Sequence, residues 1–145
     1  AEKMYPMKSF ADAGATLVSA SDFPVTSNPN PFYAMQFGVT RNLVDGEPYG
    51  VPNITDMDDP AYLLWPEERV DIKRMIRSFT ADAAWALGLE GETGTLEPGK
   101  SADFIVVDQN VLDADPLAIK DTKVLATYLR GEKIFDAAQA TDPKE

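Results

Sequence analysis

The stretch "ATLVSASDFPV", residues 15–25, sets the strongest limit on the fold. Small and apolar residues run into a carboxylate, Asp22, and then into a bulky residue and a proline. A short apolar run that follows a glycine turn signal reads as a buried strand. Pro24 and two Asn-Pro steps in "DFPVTSNPNPF" forbid a regular element directly after it. In front of it, "YPMKSFADAG" reads as a short helix, with Pro6 in the first turn and Gly14 as the left-handed residue past its end. In α/β folds, catalytic groups sit at the C-terminal ends of strands, where the next loop opens onto a cleft. Asp22 has that position. A carboxylate there can ligate a metal or take a proton from metal-bound water. It can equally cap its own loop by accepting backbone N–H groups. The residue pattern leaves both readings open.

Further along, "FYAMQFGVTRNL" fits a short helix with Phe32, Met35 and Val39 on one side, interrupted by Gly38. "VDGEPYGVPNITDMDDPAYLL" is rich in Gly, Pro, Asn and Asp and reads as a long excursion. Loops of this length in a compact domain are functional or disordered. "WPEERVDIKRMIRSFT" is the clearest helix. Pro66 opens it, Glu67 and Glu68 sit at its positive end, and Ile72, Met75, Ile76 and Phe79 form a core-facing stripe. Thr80 can cap a second helix, "ADAAWALGL", closed at Gly88. "FIVV" then reads as a strand buried on both faces. "VLATYLRGEKIFD" reads as a hairpin turning at residues 130–132, and the tail at 137–145 as frayed. The first half is therefore one repeat of an α/β architecture, and the second is part of a β-sheet layer.

Composition narrows the function. The 145 residues suit one domain, and 44% hydrophobic against 26% charged residues suits a folded chain. Thirteen Lys and Arg against 24 Asp and Glu leave a net charge of −11. That argues against nucleic acid and an anionic membrane surface as partners. No apolar run reaches the length of a membrane span, and "AEKMYPMKSF" lacks the apolar core of a signal peptide. The absence of cysteine fits a cytoplasmic chain. The absence of histidine removes an imidazole base, a Ser-His-Asp triad, and any nitrogen or sulfur ligand for zinc. A metal site made by this chain alone would be all-oxygen.

Other clusters have plainer readings. Asp56, Asp58 and Asp59 form a solvated acidic loop without the spacing of a calcium site. Trp85, among alanines in a helix, reads as core, and Trp65 as pocket wall or helix-start packing. Lys73, Arg74 and Arg77 suggest either an anion site or, more ordinarily, a solvated face near a helical C-terminus. The loop at 23–64 is the best candidate for substrate contact, with Phe23, Asn28 and Asn30 nearest Asp22 in sequence.

"SDFPV" after the strand is followed by "PEERVDIKRMIRSFTADAAWALGLEGETGTLEPGKSADFIVVDQN" and "VLATYLRGEKIFD". Together these resemble the C-terminal end of a metal-dependent hydrolase of the amidohydrolase superfamily, in the branch of N-substituted formamide deformylases and exoenzyme regulatory proteins. The resemblance covers residues 5–136, and "GTLEPGKSADFIVVD" is its most specific part. It implies a TIM (β/α)8 barrel beside a small β-sandwich. Residues 15–21 would be the eighth barrel strand and residues 66–78 the eighth helix. The strands from about Thr95 onward would belong to the sandwich. The implied division is 1–93 for the barrel part, with the long loop at 23–64, and 94–136 for the sandwich part.

The resemblance makes Asp22 the metal-site carboxylate that moves a proton from the attacking water to the leaving nitrogen. The implied substrate is a small amide, formamide or cyclic amide, cut at a non-peptide C–N bond. The implied cofactor is a divalent metal, zinc, held in the complete enzyme by histidines that this sequence lacks. This chain alone is expected to bind no metal tightly and to be inactive. A TIM barrel needs roughly 200 residues or more, so the expectation is an incomplete fold. It would pair with the upstream part of the same protein or with another copy through exposed apolar faces. The alternative is a non-catalytic regulatory or binding module derived from such an enzyme.

Overall fold

The computed structural model describes residues 4–140 except Ser27. Four short α-helices precede a three-stranded sheet. They are α1 (Met7–Asp12), α2 (Pro31–Thr40), α3 (Ile72–Phe79) and α4 (Ala81–Ala86). The strands are β1 (Phe104–Val107), β2 (Val124–Leu129) and β3 (Glu132–Asp136), antiparallel in the order β1-β2-β3. Short 3-10 segments lie at Glu47–Tyr49, Pro66–Glu68 and Pro116–Asp121. No helix among the described residues is long and apolar enough to cross a membrane.

The hairpin forms as the sequence predicts. Arg130 and Gly131 have φ of 52° and 80°, the pair of left-handed residues that a two-residue turn between twisted strands requires. Phe104 lies opposite Tyr128 across the β1–β2 ladder, their rings stacked 4.5 Å apart. β1 is not buried on both faces, however. Ile105 and Val106 are 48% and 41% exposed, because this strand has one neighbour and lies at the sheet edge.

The core joins both halves of the chain. Phe32 and Met35 from α2, Val70, Met75 from α3, and Val111 and Ile119 from the second half pack as one cluster. Ile72, Ile76 and Phe79 pack against it, so the stripe on α3 faces inward as predicted. Gly38 in α2 is the point of closest approach. A Cβ built there would lie 2.3 Å from Met75 Sδ, so only glycine lets α2 and α3 meet at this spacing.

The structure differs from the sequence-based expectations at four further places. Residues 15–21 form an extended segment and not a laddered strand. No neighbouring strand lies among the described residues to pair with it, and its residues alternate between half-buried and exposed. The helix predicted from Pro66 begins only at Ile72. Pro66–Glu68 is a 3-10 turn, Arg69 is extended, and Asp71 caps α3 by accepting the Arg74 N–H at 2.8 Å. Lys73 and Arg74 therefore fall in the first turn of α3 and not in its C-terminal half. Trp85 is 57% exposed and not core, because α4 turns Asp82 and Ala84 inward and leaves Trp85 and Ala86 outside. Thr80 does not cap α4 with its side chain. Its hydroxyl donates to the Ile76 carbonyl instead.

The candidate active-site aspartate and its surroundings

The segment carrying Asp22 is docked on α3 by serines. The Ser19 N–H donates to the Ser78 carbonyl at 3.1 Å, and the two Oγ atoms are hydrogen-bonded at 2.8 Å. Leu17, Ser19 and Ser21 are half-buried, while Val18, Ala20 and Asp22 are exposed. Period-2 alternation thus turns every second residue away from α3, and the last of these is the carboxylate.

At Asp22 the chain turns sharply. Its φ is 56°, and the peptide bond between Phe23 and Pro24 is cis. The turn is closed by backbone and hydroxyl groups. The Asp22 carbonyl accepts the N–H groups of Val25 and Thr26 at 2.8 and 3.3 Å. Ser21 Oγ accepts the Phe23 N–H at 3.3 Å, and the Thr26 hydroxyl donates to the Ser21 carbonyl. The Asp22 carboxylate makes no hydrogen bond or ion pair among the described residues. Local capping, one of the two readings open in the sequence, is therefore not what the side chain does.

The neighbouring candidates divide. Phe23 is 58% exposed beside Asp22. Asn28 Oδ1 accepts the Asn30 N–H at 2.9 Å, and Asn30 Oδ1 caps α2 by accepting the Phe32 N–H at 3.0 Å. Each asparagine thus uses its carbonyl oxygen to shape the loop, leaving the amide NH2 as the group open to another partner. No group of three or more His, Cys, Asp or Glu side chains that could hold a metal exists among the described residues. One exposed carboxylate does not make a cation site, so the residues present do not fit a metal held by this chain alone.

The loop after α2 is ordered by polar groups to which the sequence reading gave no such role. Gln36, Thr40, Arg41, Asn42 and Glu68 are all essentially inaccessible. Arg41 and Leu64 close the loop on itself. The Leu64 N–H donates to the Arg41 carbonyl at 2.8 Å, and Arg41 Nε donates back to the Leu64 carbonyl at 3.1 Å. Arg41 Nη2 reaches the Met4 carbonyl at 2.7 Å. Burial pushes the Arg41 guanidinium below its usual range, opposed by the charges of Glu68 and Glu67. Asn42 Nδ2 donates to the carbonyls of Met57 and Asp59, and Arg69 donates to those of Thr40 and Met57. Arg69 also pairs with Asp58 at 2.8 Å. The available signal was "TRN" at the end of an apolar helix, where three polar residues follow a core-facing run.

Between α2, α3 and one face of the sheet runs an open groove of about 730 Å³. Its walls include Phe32, Met35, Phe79, Ile105 and Ile134, with Asn30 at its edge, and Asp22 does not line it. Such an apolar surface suits packing, and it offers no convergent polar groups for hydrolysis.

Residues 1–135 match the profile described as "Amidohydrolase family". The chain is 30% identical over 129 residues to the N-substituted formamide deformylase of Arthrobacter pascens, covering 89% of this chain and 21% of that protein. It is 28% identical over 135 residues to the imidazolonepropionase of Bdellovibrio bacteriovorus, covering 92% of this chain and 26% of that protein. The chain thus spans about a fifth to a quarter of the length of these relatives. The crystal structure of an amidohydrolase from Thermotoga maritima MSB8 superposes with a TM-score of 0.53 at 22% identity, over 90% of this chain and 26% of that one. That likeness concerns the fold alone, and this chain mixes helices with a three-stranded antiparallel sheet. The profile match spans nearly the whole sequence, and the chain belongs to the amidohydrolase family.

Proposed function

We propose that this chain is the C-terminal part of a metal-dependent amidohydrolase that hydrolyses a non-peptide C–N bond in a small amide, formamide or cyclic amide. Asp22 is its catalytic carboxylate. The observation that carries this reading is the uncommitted Asp22 side chain, at the end of a docked segment whose turn is held by other atoms. A carboxylate so placed can take a proton from an attacking water and return it to the leaving nitrogen. The divalent metal of the complete enzyme, zinc in this proposal, would polarise the scissile group and lower the pKa of water. Its other ligands lie outside this chain, and Asp22 contributes one carboxylate to the set.

In this reading residues 15–21 are the last barrel strand, with α3 as the last barrel helix. Residues 1–93 belong to the barrel and 94–136 to a small sandwich. The apolar groove and the exposed Ile105 and Val106 at the sheet edge support contact with the upstream part of the protein or a second copy. Phe23, Asn28 and Asn30 are the nearest candidates for substrate contact. The experiment is turnover of formamides and cyclic amides by the full-length protein and its Asp22→Asn variant. A loss of at least a hundredfold in kcat supports the role, and unchanged turnover removes it.

A further inference from the structure

Among the described residues, the stretch 16–26 that carries Asp22 is hydrogen-bonded to the rest of the chain only at Ser19. The Ser19 N–H donates to the Ser78 carbonyl at 3.1 Å, and Ser19 Oγ lies 2.8 Å from Ser78 Oγ. Every other hydrogen bond made by this stretch stays inside the turn around Asp22. Leu17 also packs against the core, but an apolar contact has no preferred direction and lets a segment slide. A hydrogen bond is directional, so the Ser19–Ser78 pair sets where the segment stands along α3.

Ser78 is fully buried on the inward side of α3, one turn after Met75. Alanine would form the helix better and would leave no hydroxyl to satisfy. Serine adds a defined order of donors. Ser78 Oγ lies 2.8 Å from both Ser19 Oγ and the Met75 carbonyl oxygen. A hydroxyl has one proton to give. Both contacts carry a proton only when Ser19 donates to Ser78 and Ser78 donates to Met75. The two hydroxyls are then spent inside the fold, and neither is available to a substrate. Ser19 faces α3, while Asp22, three residues further on, is exposed on the other side. The link between them is mechanical. They are about 10 Å apart along an extended chain. The turn at 21–26 is closed on itself, so a shift at Ser19 carries the carboxylate with it.

We propose that Ser78 is a positioning residue for Asp22, acting through Ser19, and that the pair fixes where along α3 the carboxylate stands during hydrolysis. This rests on the catalytic reading of Asp22 given above. The test compares Ser78→Ala, Ser19→Ala, their double variant, Ser19→Thr and Asp22→Asn in the full-length protein, with the same formamides and cyclic amides. Rates are taken below the onset of each variant's thermal unfolding, so that loss of folded protein does not enter kcat. Ser78→Ala and Ser19→Ala are each expected to lower kcat about tenfold, as a misplacement of less than 1 Å can. KM should stay at the parent value, because neither serine binds substrate. The double variant should lose no more than either single one, since the hydroxyls act as a unit. Ser19→Thr keeps a hydroxyl and should restore the parent kcat. A readout free of turnover is amide exchange in the native protein. Val25 and Thr26 should exchange about fivefold faster in Ser78→Ala, with the β2–β3 ladder unchanged. Parent kcat in folded Ser78→Ala and Ser19→Ala beside an inactive Asp22→Asn would overturn the positioning role and leave the hydrolytic reading intact. Full turnover by Asp22→Asn would overturn both. Unchanged exchange at Val25 and Thr26, or no recovery in Ser19→Thr, would also overturn the role.

Discussion

Ser19 and Ser78 join their hydroxyls at 2.8 Å, and the Ser19 N–H reaches the Ser78 carbonyl at 3.1 Å. The pair fixes the segment three residues before Asp22 onto α3. Ser78 Oγ is also within 2.8 Å of the Met75 carbonyl and is fully buried. Ser78→Ala is expected to cost about 1 kcal/mol, the usual net contribution of such a bond. Adding Ser19→Ala should cost little more, because the pair is already broken. Denaturant midpoints of the single and double variants check this, and fully additive losses would contradict the coupling.

Asp22 itself should be almost silent in stability. Its carboxylate has no partner among the described residues, and the turn is held by its carbonyl and by Ser21. Asp22→Asn is expected to change the stability of this chain by no more than about 0.5 kcal/mol, as at exposed positions without special contacts. A loss of ~1 kcal/mol or more would restore the capping reading.

Gly38→Ala sets helix propensity against packing. Alanine is better than glycine inside a helix by about 1 kcal/mol. Here its methyl would sit 2.3 Å from Sδ of Met75, a side chain that is only 2% exposed and has little room to retreat. Overpacking of this kind costs roughly 1–3 kcal/mol. The net expectation is a lower melting temperature, partly restored when Met75 is shortened to Val.

The Asp103 carboxyl links three parts of the chain, accepting the Thr93 hydroxyl, the Ser101 hydroxyl and the Arg130 N–H. The Arg130 N–H, then the Ser101 and Thr93 hydroxyls, hold it below the usual carboxylate range. A depressed pKa means that the folded state favours the charged form. The stabilisation is therefore complete above the ordinary aspartate pKa and is lost as pH falls through the lower, folded value. Asp103→Asn should be less stable than the parent at neutral pH, with a difference that shrinks in acid. Unfolding midpoints measured from neutral pH to pH 2 provide the check.

Arg41→Met tests whether the buried guanidinium orders the long loop. The bonds to Leu64 and Met4 would be lost. Hydrogen exchange should then accelerate at the Leu64 amide and across residues 42–63, while the β2–β3 ladder keeps its protection. Equal acceleration everywhere would mean global destabilisation and not a local clasp.

Much of this was legible in the sequence because it rests on local rules. Pro6 and Gly14 bracket α1, Arg130 and Gly131 make the hairpin turn, and the α3 stripe faces the core. Asp22 could be singled out because a carboxylate that ends an apolar run before a proline is a local pattern. The start of α3 was missed because Pro66 and Asp71 are both good starting residues, and only the extended backbone at Arg69 chooses between them. Strand-forming residues at 15–21 could not reveal that no described strand lies beside them, since pairing belongs to the partner as much as to the segment.

The sequence by itself determined the family, the turn chemistry, and the absence of any imidazole with which to build a metal site. Only the tertiary structure decided how each polar group is used. It released the Asp22 carboxylate by giving its turn to backbone atoms, and tied Asn30 to the start of α2. It buried Arg41 under its own loop and moved Lys73 and Arg74 to the positive end of a helix. Hydrogen-bond competition is settled by which donors and acceptors meet in three dimensions, and residue order alone does not carry that information.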